Sequence, residues 1–267
     1  VHGLTAEIVI IKTSGDRFQQ GGVGQIGLKG VFIKELEDAL LAREVDFAVH
    51  SMKDVPTEIP AGLAFPAIVR RVDVRDCLVA GGGMKLADLP HGARLGTSSL
   101  RRQAQLRHIR PDLAVLELRG NVDTRLRKLD EGQYDAIVLA KAGLDRLGWS
   151  EKITDVFSPA RVLPAVGQGA LGIECREKDA NVMELLAKLD HAETRACVTA
   201  ERALLAKLEG GCQVPLGAWG RIEAGRLLLD AIVLAADGSE HLRDSASGSP
   251  ESAEALGHAL AEKLLAA

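Results

Sequence analysis

Cys212 stands in E-G-G-C-Q-V-P (residues 209–215), directly after a strongly helical run over residues 194–208. Gly210 and Gly211 stop such a helix and leave the thiol on a tight loop of small residues, held by backbone instead of packed away. Spacing alone leaves two readings open, an inert half-buried cysteine and a reactive one. Lys53 and Asp54 form a second chemical feature, in Ser51-Met52-Lys53-Asp54-Val55-Pro56 at the end of a short strand over 46–50. Open α/β sheets bind ligands there, beyond the carboxyl ends of strands. The third is G-T-S-S-L-R-R (96–102), which opens a helix. Thr97, Ser98 and Ser99 offer hydroxyls and free backbone N–H groups at the positive end of the helix dipole. Arg101 and Arg102 add planar forks that match carboxylates. Basic residues oppose the dipole at this end, so their placement costs local stability and makes sense in a site that holds anions. Arg119, Arg125 and Arg146 also come shortly after strands, and parallel neighbouring strands would bring all these arginines to one rim.

The positioning elements alternate. Residues 6–12 (A-E-I-V-I-I-K) are β-branched and continuous, which predicts a strand buried in a mostly parallel sheet. Residues 13–29 form a long glycine-rich loop of lid character. Gly22, Gly24 and Gly27 fit G-x-G-x-x-G there, but too far from the preceding strand for a dinucleotide turn. The spacing predicts a helix over 31–43 and strands over 46–50, 63–69, 77–80, 93–95, 113–118, 134–140 and 171–174. Helices follow over 100–107, around Arg125, and over 184–189 and 194–208. Beyond Cys212 the pattern changes to antiparallel strands over 216–221, 226–235 and 241–247, closed by a helix from Ser249-Pro250.

A chain of 267 residues with 46% hydrophobic content can build two or three compact units. A net charge of −4 excludes a general nucleic-acid or membrane-surface binder, so any anion site is local. Cys77, Cys175, Cys197 and Cys212 are scattered, with no C-x-x-C and no Cys/His pair at metal-ligand spacing, as in a reduced, cytoplasmic protein. No apolar run reaches transmembrane length. The opening Val1-His2-Gly3-Leu4 is neither a signal peptide nor an initiator methionine, so the natural N-terminus is expected to lie upstream.

H-S-M-K-D-V-P (50–56), G-T-S-S-L-R-R (96–102), L-R-G-N-V-x-T-R-L (118–126), L-P-A-V-G-Q-G-A (163–170) and E-G-G-C-Q-V-P (209–215) closely resemble the porphobilinogen deaminase (hydroxymethylbilane synthase) family, in order and along essentially the whole chain. The resemblance implies two α/β domains of periplasmic-binding-protein type with a cleft between them, plus a small C-terminal α+β domain. The implied boundaries are 1–70 with 168–188, 71–167, and 189–267. It implies a monomeric enzyme of tetrapyrrole and haem biosynthesis, with neither nucleic acid nor membrane as partner. Four porphobilinogen molecules are joined head to tail with loss of ammonia, and hydrolysis releases hydroxymethylbilane.

The same resemblance makes Cys212 the thioether anchor of a dipyrromethane cofactor and Asp54 the catalytic aspartate. Ser51, Lys53, Thr97, Ser98, Ser99, Arg101, Arg102, Gly120, Asn121 and Arg125 are the implied cofactor site. Lys29, Arg119, Arg125, Arg146 and Gln168 are the implied substrate site. The chemistry is consistent, because acetate- and propionate-bearing pyrroles are polyanions that need several guanidinium partners. Two departures stand out. Nothing matches the family's R-x-S-x-L-A-type opening, so a strand and helix of the first domain are expected to be missing, and Gln25 stands where lysine is common. The residues alone also admit a non-catalytic bilobal anion-binding protein, and the N-terminus admits an inactive truncated fragment.

Overall fold

The apolar runs assemble into three sheets. The computed structural model describes residue 3 and residues 5–11, 33–208 and 215–267. Along the chain come α1 (Lys34–Leu41), β1 (Phe47–Ser51), β2 (Leu63–Ile68), β3 (Asp76–Ala80), β4 (Arg94–Gly96) and α2 (Leu100–Ile109). Then follow β5 (Ala114–Leu116), α3 (Val122–Asp130), β6 (Ala136–Ala140), α4 (Lys141–Arg146), β7 (Asp155–Val156), β8 (Leu171–Arg176) and α5 (Ala180–Ala187). The last elements are α6 (Ala192–Leu208), β9 (Leu216–Glu223), β10 (Arg226–Leu234), β11 (His241–Gly248) and α7 (Ala253–Leu265).

The first sheet has the order β1-β8-β2, the second β5-β4-β6-β3-β7 and the third β11-β10-β9. β8 returns from far along the chain to lie between β1 and β2, so the backbone passes from the first sheet to the second and back. The two passages touch: Val72 N–H donates to Gly169 O at 3.3 Å and Val69 N–H to Leu171 O at 3.0 Å. Alternation along β3 and β6 gives the second sheet two apolar faces. Leu78, Leu95, Leu106 and Val138 pack on one, and Cys77, Val79, Leu126 and Ile137 on the other. The third sheet packs its inner face, including Leu227 and Leu229, against α6 and α7.

The result is α/β, as the patterning predicts, but strand direction differs from expectation. Among the described residues, every pair in the first sheet is antiparallel, and in the second only β4–β5 and β4–β6 are parallel. Continuous apolar runs report burial on both faces, and an antiparallel strand covered on both sides reads the same way. The strand expected over 6–12 is also corrected: residues 5–11 join no ladder with a described strand, and Ile8 and Ile10 are 88% and 85% exposed. β-branched composition fits a residue to a sheet but supplies no partner. The helix expected over 31–43 is observed from Lys34 to Leu41, and Arg43 turns into the left-handed region at φ 62° just beyond it. Lys12, Lys29, the 13–29 loop and Cys212 lie outside the described residues.

Candidate functional site

Met52–Asp54 form a single 3-10 turn at the end of β1, which places Lys53 and Asp54 at the surface and buries Met52. Its entrance is pinned by Met52 N–H donating to Ala170 O at 3.0 Å. Gly167 lies against the same turn at φ 71°, where an added Cβ would stand 2.9 Å from the carbonyl carbon of Met52. We expect Gly167→Ala to cost about 2–3 kcal/mol of stability, combining a disfavoured backbone region with a backbone clash. Urea denaturation reads that loss directly.

Asp76, at the start of β3, is fully buried and gathers the arginines of α2. Arg101 Nη1 donates to its Oδ2 at 2.7 Å, and Arg102 donates to its Oδ1 through Nη2 at 2.7 Å and Nε at 3.1 Å. Gln168 Nε2 adds a bond to Oδ1 at 2.9 Å and one to Val74 O at 2.8 Å. Burial opposes the charge on Asp76, but the two guanidiniums outweigh it and hold the carboxyl well below the usual carboxylate range. Burial in turn pulls Arg101 down, as does Arg102, against the attraction of Asp76. One carboxylate faces two guanidiniums, so the cluster keeps an excess of positive charge.

Lys53 lies within the field of this cluster. Burial is the largest influence lowering its pKa, with Arg102 and Arg125 lowering it further and Asp54 and Asp76 opposing them. Solvent still reaches the side chain, on which the charges of Asp54, Asp76, Arg102 and Arg125 act. Arg125 is depressed by burial and by Arg102, with Asp54 again opposing. Its Nε donates to Gly120 O at 2.7 Å. Asp54, next to Lys53 on the turn, acts on the charges of both Lys53 and Arg125, and Arg102 adds to the local positive charge that favours a bound anion.

The other expected residues take different places. Ser99 is the N-cap of α2, accepting from Arg102 N–H at 3.4 Å, and Asn121 caps α3 by accepting from Thr124 N–H at 2.9 Å. Ser98 Oγ spans to the next strand, donating to Leu118 O at 2.6 Å and accepting from Leu118 N–H at 3.1 Å. Thr97 is buried and Ser51 half-buried. Gly120 holds φ 118°, and a Cβ there would come 2.7 Å from Thr124 Cγ2. Arg146 donates to Gly169 O at 3.0 Å, its pKa lowered by burial. Arg119 is exposed and paired with Glu117 at 2.6 Å, outside the group acting on Lys53.

Asp76 is the principal residue that sequence reading missed; it stands at the end of R-R-V-D-V-R-D (70–76), where four other charged residues precede it. Glu201 on α6 was missed too. Fully buried, it takes a two-armed bond from Arg71 and accepts from Gly167 N–H and Gly220 N–H, each at 2.7 Å. It thereby joins α6, β9 and the passages between the first two sheets. A charged residue on the apolar stripe of a predicted helix was the available signal.

The remaining described cysteines are packing residues. Burial raises the Cys77 thiol to about 12 and the Cys197 thiol to about 11, and Cys175 is pushed upward as well. Iodoacetamide at pH 8 should leave all three unmodified in the folded protein and label them after unfolding, as peptide mapping would show.

Residues 2–184 match the family model "Porphobilinogen deaminase, dipyromethane cofactor binding domain", and residues 195–266 match "Porphobilinogen deaminase, C-terminal domain". The chain belongs to the porphobilinogen deaminase family. A porphobilinogen deaminase of Desulforudis audaxviator is 57% identical over 255 residues, covering 96% of this chain and 82% of the relative. One from Syntrophobacter fumaroxidans is 51% identical over 263 residues, covering 98% and 85%. Among solved structures, a YaeC-family lipoprotein of Enterococcus faecalis is 16% identical with a TM-score of 0.40, over 61% of this chain and 76% of that one, a likeness too slight to carry an argument.

Membership makes this chain a hydroxymethylbilane synthase, a transferase of tetrapyrrole biosynthesis with a dipyrromethane cofactor, and the simple anion-binding reading gives way. The donor set fits that cofactor. Lys53, Arg102 and Arg125 offer an excess of cations, and buried Arg101 Nε has no hydrogen-bond partner among the described residues. Carboxylate-bearing pyrroles supply matching acceptors. Among the described residues, no helix is long and apolar enough to cross a membrane.

Proposed function

We infer that Asp54 is the catalytic carboxylate of this porphobilinogen deaminase and that Cys212 is the cofactor anchor. The observation that supports the assignment is the pinned 3-10 turn at the end of β1, which presents Asp54 beside Lys53 at the surface, where its charge also acts on Arg125. The three cations bind the acetate and propionate groups of porphobilinogen and orient its ring. Asp54 then faces the pyrrole N–H and stabilises the positive charge that develops on the substrate as ammonia departs. Lys53, the next residue on the same turn, is placed to exchange a proton near the leaving amine. A dipyrromethane held by these residues would supply the pyrrole carbon to which each new unit is added. Arg101 and Gln168 support the site through Asp76, and Ser98, Ser99, Gly120 and Asn121 shape the backbone that presents Arg102 and Arg125. Ser51, Thr97, Arg119, Arg146 and Lys29 complete the proposed cofactor and substrate contacts.

The three sheets suit a division into 1–70 with 168–188, 71–167, and 189–267, the last carrying Cys212. The same reading takes the chain as a cytoplasmic monomer acting on a small molecule, with neither nucleic acid nor membrane as partner. Its modest negative charge supports that choice.

Intact-protein mass tests the anchor. Wild-type protein should carry an excess equal to two linked porphobilinogen-derived pyrrole units, and Cys212→Ala should carry none and show no turnover. A bare wild-type mass that stays bare after incubation with porphobilinogen or hydroxymethylbilane would overturn the assignment.

A further inference from the structure

The exit of the Asp54 turn is held from outside its own sheet. Arg202, on α6, donates Nη1 to Val55 O at 2.9 Å, and its Nη2 donates to Pro56 O and, at 3.3 Å, to Thr57 O. One guanidinium thus gathers three consecutive carbonyls immediately after the carboxylate. Pro56 has no N–H to donate, so it offers no backbone hydrogen bond of its own to anchor this segment. The helix that bears Arg202 is itself fixed by the neighbouring residue, because Glu201 is locked to Arg71, Gly167 and Gly220. With Met52 N–H tied to Ala170 O at the entrance, the short turn carrying Lys53 and Asp54 is clamped at both ends.

We propose that Arg202 is a positioning residue for Asp54, setting the aim of its carboxylate by fixing the backbone that follows it. The proposal rests on the reading of Asp54 as the catalytic group. Arg202 reaches the turn through carbonyl oxygens, so its loss should shift the carboxylate, and Lys53 on the same turn, while leaving the anion-binding Arg102 and Arg125 in place. Displacements on the ångström scale cost up to about 100-fold in rate. The signature is a fall in kcat with little change in KM.

The test is a double-mutant cycle on the cofactor-loaded enzyme, with loading checked by intact mass and folding by thermal melting. R202M keeps the aliphatic stem and removes the donors. It should lower kcat about 10- to 100-fold, with KM within about threefold of wild type. R202K, able to serve fewer carbonyls, should recover part of that loss. In a D54N background R202M should cost nothing further in single-turnover rate, because its effect passes through Asp54. Wild-type kcat in folded R202M, or losses that multiply in the double variant, would overturn the proposal. Should R202M not fold, an unchanged kcat in R202K would overturn it equally. D54N with wild-type kcat would instead remove the Asp54 reading, so the two failures are distinguishable.

Discussion

Asp76→Ala is expected to lose about 3–5 kcal/mol of stability, the cost of leaving buried charge without its counter-ion. Arg101 and Arg102 are each 5% exposed, and both donate to this one carboxylate. Removing it leaves two guanidiniums in low dielectric, facing one another and the carbonyls of Leu163 and Val138. Against a total stability of about 5–15 kcal/mol, the variant would stand close to unfolding at growth temperature. Asp76→Asn keeps an acceptor for the arginines and loses the charge, so it should fall between wild type and alanine. Urea denaturation at pH 7 orders the three proteins, and equal midpoints would show that the cluster contributes nothing.

The pH dependence follows from the same geometry. The folded-state pKa of Asp76 is depressed, so its stabilisation is present above the unfolded value, about 3.9, and is lost as pH falls through the folded one. Stability should therefore drop below about pH 4. Asp112, held near 2 by Arg110, and Asp135, paired with Arg94, act in the same acid window from the surface. Only the difference between wild type and Asp76→Asn isolates Asp76. That difference should shrink steadily on acidification, and a constant difference would contradict the depressed pKa.

Asp54→Asn is expected to reduce kcat by about 10²- to 10⁴-fold, the range for a positioned carboxylate acting on charge and proton in a transition state. Asp54 is exposed, so its substitution should move stability by no more than about 0.5 kcal/mol. Cofactor mass should be retained, because Cys212 and the arginines are unchanged. The amide also leaves Lys53 facing Arg102 and Arg125 without the carboxylate that opposes them. Any proton transfer attributed to Lys53 should then shift to lower pH in the residual activity. Steady-state kinetics across pH would check both points, and an unchanged kcat would remove Asp54 from the reaction.

Most of the elements were legible because their periodicities were long and clean. The helix over 194–208 and the antiparallel strands after Cys212 have boundaries within a few residues of expectation. Strand direction was not legible, since an apolar run records burial and says nothing about which neighbour runs beside it. The exposed Ile8 and Ile10 make the same point about partners. At the site, Lys53, Asp54, Arg102 and Arg125 were all singled out from their positions after strands, and Lys53 and Arg125 each respond to the charges of Asp54 and Arg102. Arg119 shares that sequence position and instead pairs with Glu117, because the residue two before it supplies a nearer carboxylate.

By itself, the sequence determined the family, the residues proposed to hold an oligopyrrole, and the order of the elements that carry them. Those depend on local spacing and on motifs read within a few residues. Tertiary structure alone decided that Asp76 gathers Arg101, Arg102 and Gln168, that Glu201 fastens α6 to Arg71, and that Arg202 caps the turn after Asp54. Each of these joins residues from 25 to 147 positions apart. A buried charge chooses its partner by proximity in the folded core, where desolvation makes the nearest opposite charge decisive, and no local pattern encodes that proximity.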